Sequence, residues 1–480
     1  MFAVELKSQN KHPTDHKGPL FVRVRTSDLR QRVNADLTLR YEQDGLTSFA
    51  GLELLRRFFT RIGLRREIRR FLSDALPRSD YGVYSMVLLV LVLLITGGRR
   101  LRHLGYLQGD SLVAKCCGLA RLPSIHTVGR WLAHFDEVAV DRLLAWNETL
   151  VARGIEACGL KRLTLDVDGS VVSTGLTVEG ARRGFNPHHR KVPSYYPITA
   201  YEANSGQILR VHNRPGNVHD GKASLAFLDA LAAQLEQTGL ADLTWECRMD
   251  GAFFRSDVIE WLEDWGVEYA IKVPFYQWLD LQSLIARRKR WTRVDDHVDC
   301  FEAGVFVEAW QRRLPVTLYR KRTHRQTRKN YQLDLFDPDD GYYEYSAVVS
   351  NKAVSGRTLW YFMCGRGAHE KAYAELKSGF AFDCVPTHRY QANSAWQVFN
   401  ILAFNLTRAF QVATGAKART MNRKRTPQRR YQSIQTLRFN CINRAGLITR
   451  PKGRCTLDVG TSPEVRACFD NIEHALQNAA

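Results

Sequence analysis

The hydrophobic period of this chain changes at Leu160, and that change constrains the fold more than any other feature. Arg162 to Val167 (RLTLDV) alternates polar and apolar residues, so it reads as a strand, and the turn signal Asp168-Gly169-Ser170 follows it. Further strand-like runs lie at Tyr196 to Glu202, Gln207 to Val211, Leu243 to Met249 and Glu268 to Val273. Helix-period runs near residues 224 to 235 and Ser256 to Trp265 separate the later strands. Strands first, then strands alternating with helices, predict an α/β fold with a mixed sheet flanked by helices.

The segments around this core read differently. Residues 1–45 form an N-terminal arm without periodicity, and 46–158 are helical. There Leu54, Leu55, Phe58 and Ile62 recur at helix spacing among many arginines. Such a helix either lies on a DNA backbone or presents a solvated face. Leu122 to Asp136 is either a recognition helix using Arg130 or a packing helix with Val128, Trp131 and Leu132 inward. The run Met86 to Ile95 (MVLLVLVLLI) has half the roughly 20 residues needed to span a bilayer, which predicts a buried helix and no membrane partner. Residues 275–350 carry short β-like pieces among basic residues, and helical periodicity returns across 351–412. The tail 413–480 is basic at Lys417, Arg419, Arg423, Lys424, Arg425, Arg429 and Arg430.

Charge narrows the partner. A formal net charge of +20, from 69 Lys+Arg against 49 Asp+Glu, favours duplex nucleic acid, whose counterions are released on binding. The ten cysteines form no CxxC pair, which excludes a zinc ribbon and a secreted disulfide framework and fits a reducing cytosol. The 45% hydrophobic content excludes a disordered chain.

Three acidic positions then stand out. Asp166 and Asp168 share one face of the strand ending at Gly169, because side chains alternate. Asp250 ends the apolar-polar strand LTWECRM before Gly251. Glu370 lies in GRGAHEKAYAELKSGF, and helix geometry puts Arg366, Glu370 and Lys377 on one face. Carboxylates from two strands and a helix suit a two-metal phosphoryl-transfer site, since Mg²⁺ takes hard oxygen ligands. Cations on the acid's helix suit the phosphates.

These blocks carry a resemblance. LDVDGS, ECRMDGAFF with the following EYAIKV, and RGAHEKAYAELK resemble the three signature blocks of bacterial insertion-sequence DDE transposases. The branch in question has a Tyr-Arg-Glu-Lys signature with two, three and six residues between its members. Arg366, Glu370 and Lys377 match its last three positions; the tyrosine position holds Met363, with Tyr361 two residues upstream. NRPGNVHDG and HRYQANSAWQVFNILAFNL also look like family segments. The resemblance implies an RNase H-like core in two parts, 159–274 and 351–412, preceded by a helical DNA-binding domain. It also implies a β-rich insertion, 275–350, that contacts the transposon end. Trp291 and Trp310 are candidates there for stacking on a flipped base, or else ordinary core tryptophans.

The expected activity is cleavage at transposon ends and strand transfer into target DNA. Asp168, Asp250 and Glu370 are the expected catalytic metal ligands, with Asp166 as the alternative first ligand. The expected cofactor is Mg²⁺, with Mn²⁺ able to substitute. Arg366, Lys377, Arg130, Arg423, Lys424 and Arg425 are the expected DNA contacts. The implied partner is double-stranded DNA, bound by a homodimer in the cytoplasm, with no small-molecule substrate. A domesticated DNA-binding protein and a nuclease without strand transfer are the alternatives.

Overall fold

Apolar residues at helical spacing build the N-terminal part of the fold. After a short strand, β1 (Leu46–Thr47), come α1 (Leu52–Arg61), α2 (Leu64–Leu72), α3 (Val83–Thr96), α4 (Ser111–Cys116), α5 (Ile125–Ala133) and α6 (Glu137–Ala157). The apolar run Met86 to Ile95 falls inside α3 and is buried on every side, with α12 (Tyr390–Ala413) among its neighbours. Asp110, Ser124 and Asp136 cap α4, α5 and α6 by accepting backbone N–H bonds. The computed structural model describes Leu39 and residues 44–76, 79–184, 191–218, 220–323, 342–419, 426–460 and 462–478. The chain divides into two compact units, Met1–Asp44 and Gly45–Ala480, and all the described elements lie in the second.

The period-2 segments form the sheet. β2 (Arg162–Gly169), β3 (Val172–Ser173), β4 (Ser194–Tyr195), β5 (Ile198–Glu202) and β6 (Gln207–His212) lead to α7 (Asp220–Gln237) and β7 (Thr244–Met249). Then come α8 (Ser256–Asp264), β8 (Glu268–Val273), α9 (Leu281–Arg287), β9 (Thr292–Arg293), β10 (Val298–Val307), β11 (Arg312–Thr323) and β12 (Tyr342–Ser350). Among the described residues β3 and β4 pair with each other, and the other strands build a nine-stranded sheet in the order β6-β5-β2-β7-β8-β12-β11-β10-β9. β2, β7 and β8 are parallel and the other pairings antiparallel. The result is a mixed α/β fold, as the change of period predicts. The strands of 275–350 extend the sheet from its β8 edge rather than forming one of their own.

Leu163, Leu165 and Val167 of β2 pack into a core with α7 and α8. The opposite face of the sheet meets α11 (Gly367–Phe380) and the fully embedded α12, which join the N-terminal helices in a second core. Between β12 and α11 runs α10 (Gly356–Cys364). After α12 come α13 (Ile434–Leu437), β13 (Gly446–Thr449), β14 (Thr456–Val459) and α14 (Pro463–Asn478), with β1-β13-β14 a small separate sheet. No described helix is long and apolar enough to cross a membrane.

Candidate active site

The polar face of β2 and β7 forms a ladder whose rungs change character at one end. The two strands pair in parallel, and Thr164 stands opposite Glu246, Asp166 opposite Arg248 and Val167 opposite Met249. On the first rung the Thr164 hydroxyl donates to Glu246 Oε1 at 2.5 Å. On the second, Arg248 donates from Nε and Nη2 to the two oxygens of Asp166 at 2.6 and 2.8 Å. One step past the last pair come Asp168 and Asp250. Both acids thus follow directly on the last pair of the register, Asp168 still in β2 and Asp250 just past the end of β7.

Burial separates the two acids of β2. Asp166 is fully buried, so desolvation pushes its carboxyl above the usual range while Arg248 opposes the shift. Arg248 is further held by the Phe362 carbonyl at 2.9 Å. Gly365 makes room for it: a Cβ there would lie 2.1 Å from Arg248 Nη1. Asp168 is half-buried, and its Oδ2 receives Arg366 Nη2 at 2.6 Å. Asp250 is also half-buried and turns the chain out of β7: its Oδ1 accepts from the Ala252 amide at 2.9 Å. Gly251 lets this turn approach the end of β8, because a Cβ there would meet Pro274 at 2.9 Å.

Helix α11 is fastened against the end of β2 at three places. Arg366, just before its first turn, bonds Asp168; Tyr373 Oη donates to the Asp168 carbonyl at 2.9 Å; Lys377 Nζ donates to the Val171 carbonyl at 3.3 Å. Behind them lies a buried relay. The Thr199 hydroxyl donates to Tyr373 Oη at 2.6 Å, and His369 Nε2 lies 3.0 Å from Thr199 Oγ1. Since that hydroxyl proton is already directed to Tyr373, His369 Nε2 is the donor in this contact. The His369 ring stacks on Tyr201 and Tyr373, at 5.3 and 4.7 Å between centroids. Its burial, with Arg366 and Arg248 nearby, keeps it neutral well below the usual histidine range. Burial also lowers Lys377, against the pull of Asp383 and Asp168.

The sequence-derived residues are distributed as follows. Asp168, Arg366 and Lys377 come together at the end of β2, and Asp250 lies just past the end of the neighbouring strand β7. Glu370 is exposed on the first turn of α11. Among the described residues no group of three His, Cys, Asp or Glu is close enough to hold a metal. The donor set still has the hard oxygens that a divalent cation takes, and two of the acids each follow on the last pair of the β2–β7 register. Arg130 is exposed on α5, whose Val128, Trp131 and Leu132 are buried. Trp291 packs edge-on against Phe301 at 4.7 Å with Arg320 over its ring, and Trp310 lies between Phe254 and Trp278. Tyr361 is exposed and Met363 half-buried. Arg423, Lys424 and Arg425 lie outside the described residues. Sequence reading missed Arg248, Thr199, His369 and Tyr373. Arg248 carried a signal, because a charge inside an apolar strand requires a buried partner.

No curated protein matches the chain. A solved structure, the cryo-EM synaptic complex of piggyBac transposase with hairpin DNA, is similar at a TM-score of 0.41 and 10% identity. The match covers 92% of this chain and 89% of that one. The family model described as transposase DDE domain group 1 matches residues 30–480. By that match the chain belongs to the DDE transposase family, and it is a DNA transposase.

Proposed function

We propose that this transposase cuts DNA at the ends of its element and joins the freed ends to target DNA, using Asp168, Asp250 and Glu370 with Mg²⁺, for which Mn²⁺ can substitute. The observation that supports the reading is the end of the β2–β7 pairing: Asp168 and Asp250 each come directly after its last pair, Val167 and Met249, on adjacent chain segments. A bound divalent cation would supply the charge that activates the attacking oxygen and stabilises the departing one. Asp168 is preferred to Asp166 as first ligand, because both oxygens of Asp166 are engaged by Arg248. Glu370 is the third ligand, from the helix that Tyr373 and Lys377 hold against β2.

The cations have a second task. Arg366 and Lys377 grip the phosphates flanking the scissile bond. Arg366 pairs with Asp168 in the structure and would be released to a phosphate oxygen if a cation neutralised that carboxylate. In the first step water attacks phosphorus and a 3′ oxygen departs. In the second that 3′-OH attacks a target phosphate, a new P–O bond forms, and the target's own 3′ oxygen leaves.

The helical domain 46–158, the insertion 275–350 and the basic tail 413–480 provide the surrounding contacts to duplex DNA. Arg130, Trp291, Trp310, Arg423, Lys424 and Arg425 are the contact residues proposed there. Pairing two ends calls for a homodimer on DNA, working in the cytoplasm at the nucleoid. A strand-transfer assay with pre-cut end DNA tests the joining step. Joined products in Mg²⁺ are expected, and cutting of uncut ends without any joining overturns it.

A further inference from the structure

A cleft of about 600 Å³ opens beside the proposed cutting site, and no part of the reaction uses it. One wall is the segment after α3, with Arg99, Arg100 and Arg102. The lining also includes Ser173, at the end of β3, with Thr174 and Gly175 just beyond it. Asp383 and Cys384 line its floor. Asp383 is the one acid of the lining, and Arg99 neutralises it with bonds of 2.6 and 2.7 Å. Arg100 and Arg102 are exposed and make no ion pair among the described residues. The cleft therefore carries a net positive charge.

Its position matters as much as its sign. Lys377 bonds the Val171 carbonyl, two residues before Ser173, and feels both Asp168 and Asp383. Arg99 reaches the carbonyl of Ser378, the residue after Lys377. Arg366, Lys377, Arg99 and then Arg100 and Arg102 thus form a row of cations leading from Asp168 into the cleft. Apolar surface accompanies the row: Val178 and Pro386 lie in the lining, and Leu176 is 74% exposed beside it. Phosphates spaced along a strand match the row, and bases match the apolar wall.

We propose that this cleft binds the backbone of one unpaired DNA strand as it leaves the scissile phosphate. The inference rests on the cutting site proposed above. Size favours a single strand, because a cleft of about 600 Å³ is too small to take in a duplex.

Cys384 provides a reporter within the lining, and exposed Cys455, outside it, an internal control. The test uses the full chain in EDTA, so no strand is cut. A short oligothymidylate slows N-ethylmaleimide labelling of Cys384 several-fold and leaves Cys455 unchanged. Arg100→Ala/Arg102→Ala binds that strand several-fold more weakly, and its log–log salt slope falls by about 1.4, roughly 0.7 per lost phosphate contact. Affinity for a blunt duplex of the same length stays within twofold. Unprotected Cys384 in the unaltered protein overturns the proposal whether or not the variant folds, and so does an equal loss of duplex binding. Protection of Cys384 in a protein that never cuts in Mg²⁺ keeps the cleft and removes the cutting site.

Discussion

Replacing Arg248 with alanine strands Asp166 as a carboxylate without water or partner. Removing one member of a buried ion pair costs about 3–5 kcal/mol, and here both side chains are nearly inaccessible. Arg248→Ala is therefore expected to lose stability of that order in urea unfolding, and a loss below 1 kcal/mol contradicts the account. Strand alternation alone placed Asp166 and Asp168 on one face. It could not tell which of them takes an internal partner, because Arg248 arrives from β7 and the pairing register is not written locally. His369 gives a pH signature. Its folded-state proton affinity is depressed, chiefly by burial and then by Arg366 and Arg248. The unfolded chain takes up that proton below about pH 6.5, whereas the folded one does not, so stability is full above that pH and declines as pH falls further below it. In His369→Gln the fall of Tm between pH 6.5 and 5 should be shallower; an unchanged slope removes His369 from the explanation.

At the scale of elements, the docking of α11 on β2 sets the spacing of the proposed ligands. Tyr373→Phe removes the hydroxyl that links Thr199 to the Asp168 carbonyl. The expected cost is about 1 kcal/mol in stability, with a larger proportional loss of Mg²⁺-dependent cleavage because one of the three fastenings at the end of β2 is gone. Equal stability and full cleavage would show that the helix needs no such fastening. The elements themselves were largely legible. RLTLDV became β2, the apolar run became the buried α3, and Ser124 caps α5 with Val128, Trp131 and Leu132 inward. Local pattern did not disclose that β12 returns to pair with β8, so the strands of 275–350 share the core sheet. That pairing joins residues about 80 positions apart and depends on the whole sheet. Glu370 was legible as a helical acid, but its exposure depends on how α11 rolls against β5.

For the whole molecule, the charge of +20 predicts DNA binding that weakens steeply with salt. The proposed chemistry rests on a much smaller feature, the adjoining ends of β2 and β7. The family and the mixed fold were readable from blocks of sequence, whereas the meeting of Asp168 with Arg366 and Lys377 exists only in three dimensions. The most direct test is Mg²⁺-dependent cleavage of DNA carrying the element's ends by Asp250→Ala, with folding verified by its thermal transition. The account predicts a folded protein that binds this DNA and leaves it uncut; cleavage at the unaltered protein's rate would contradict it.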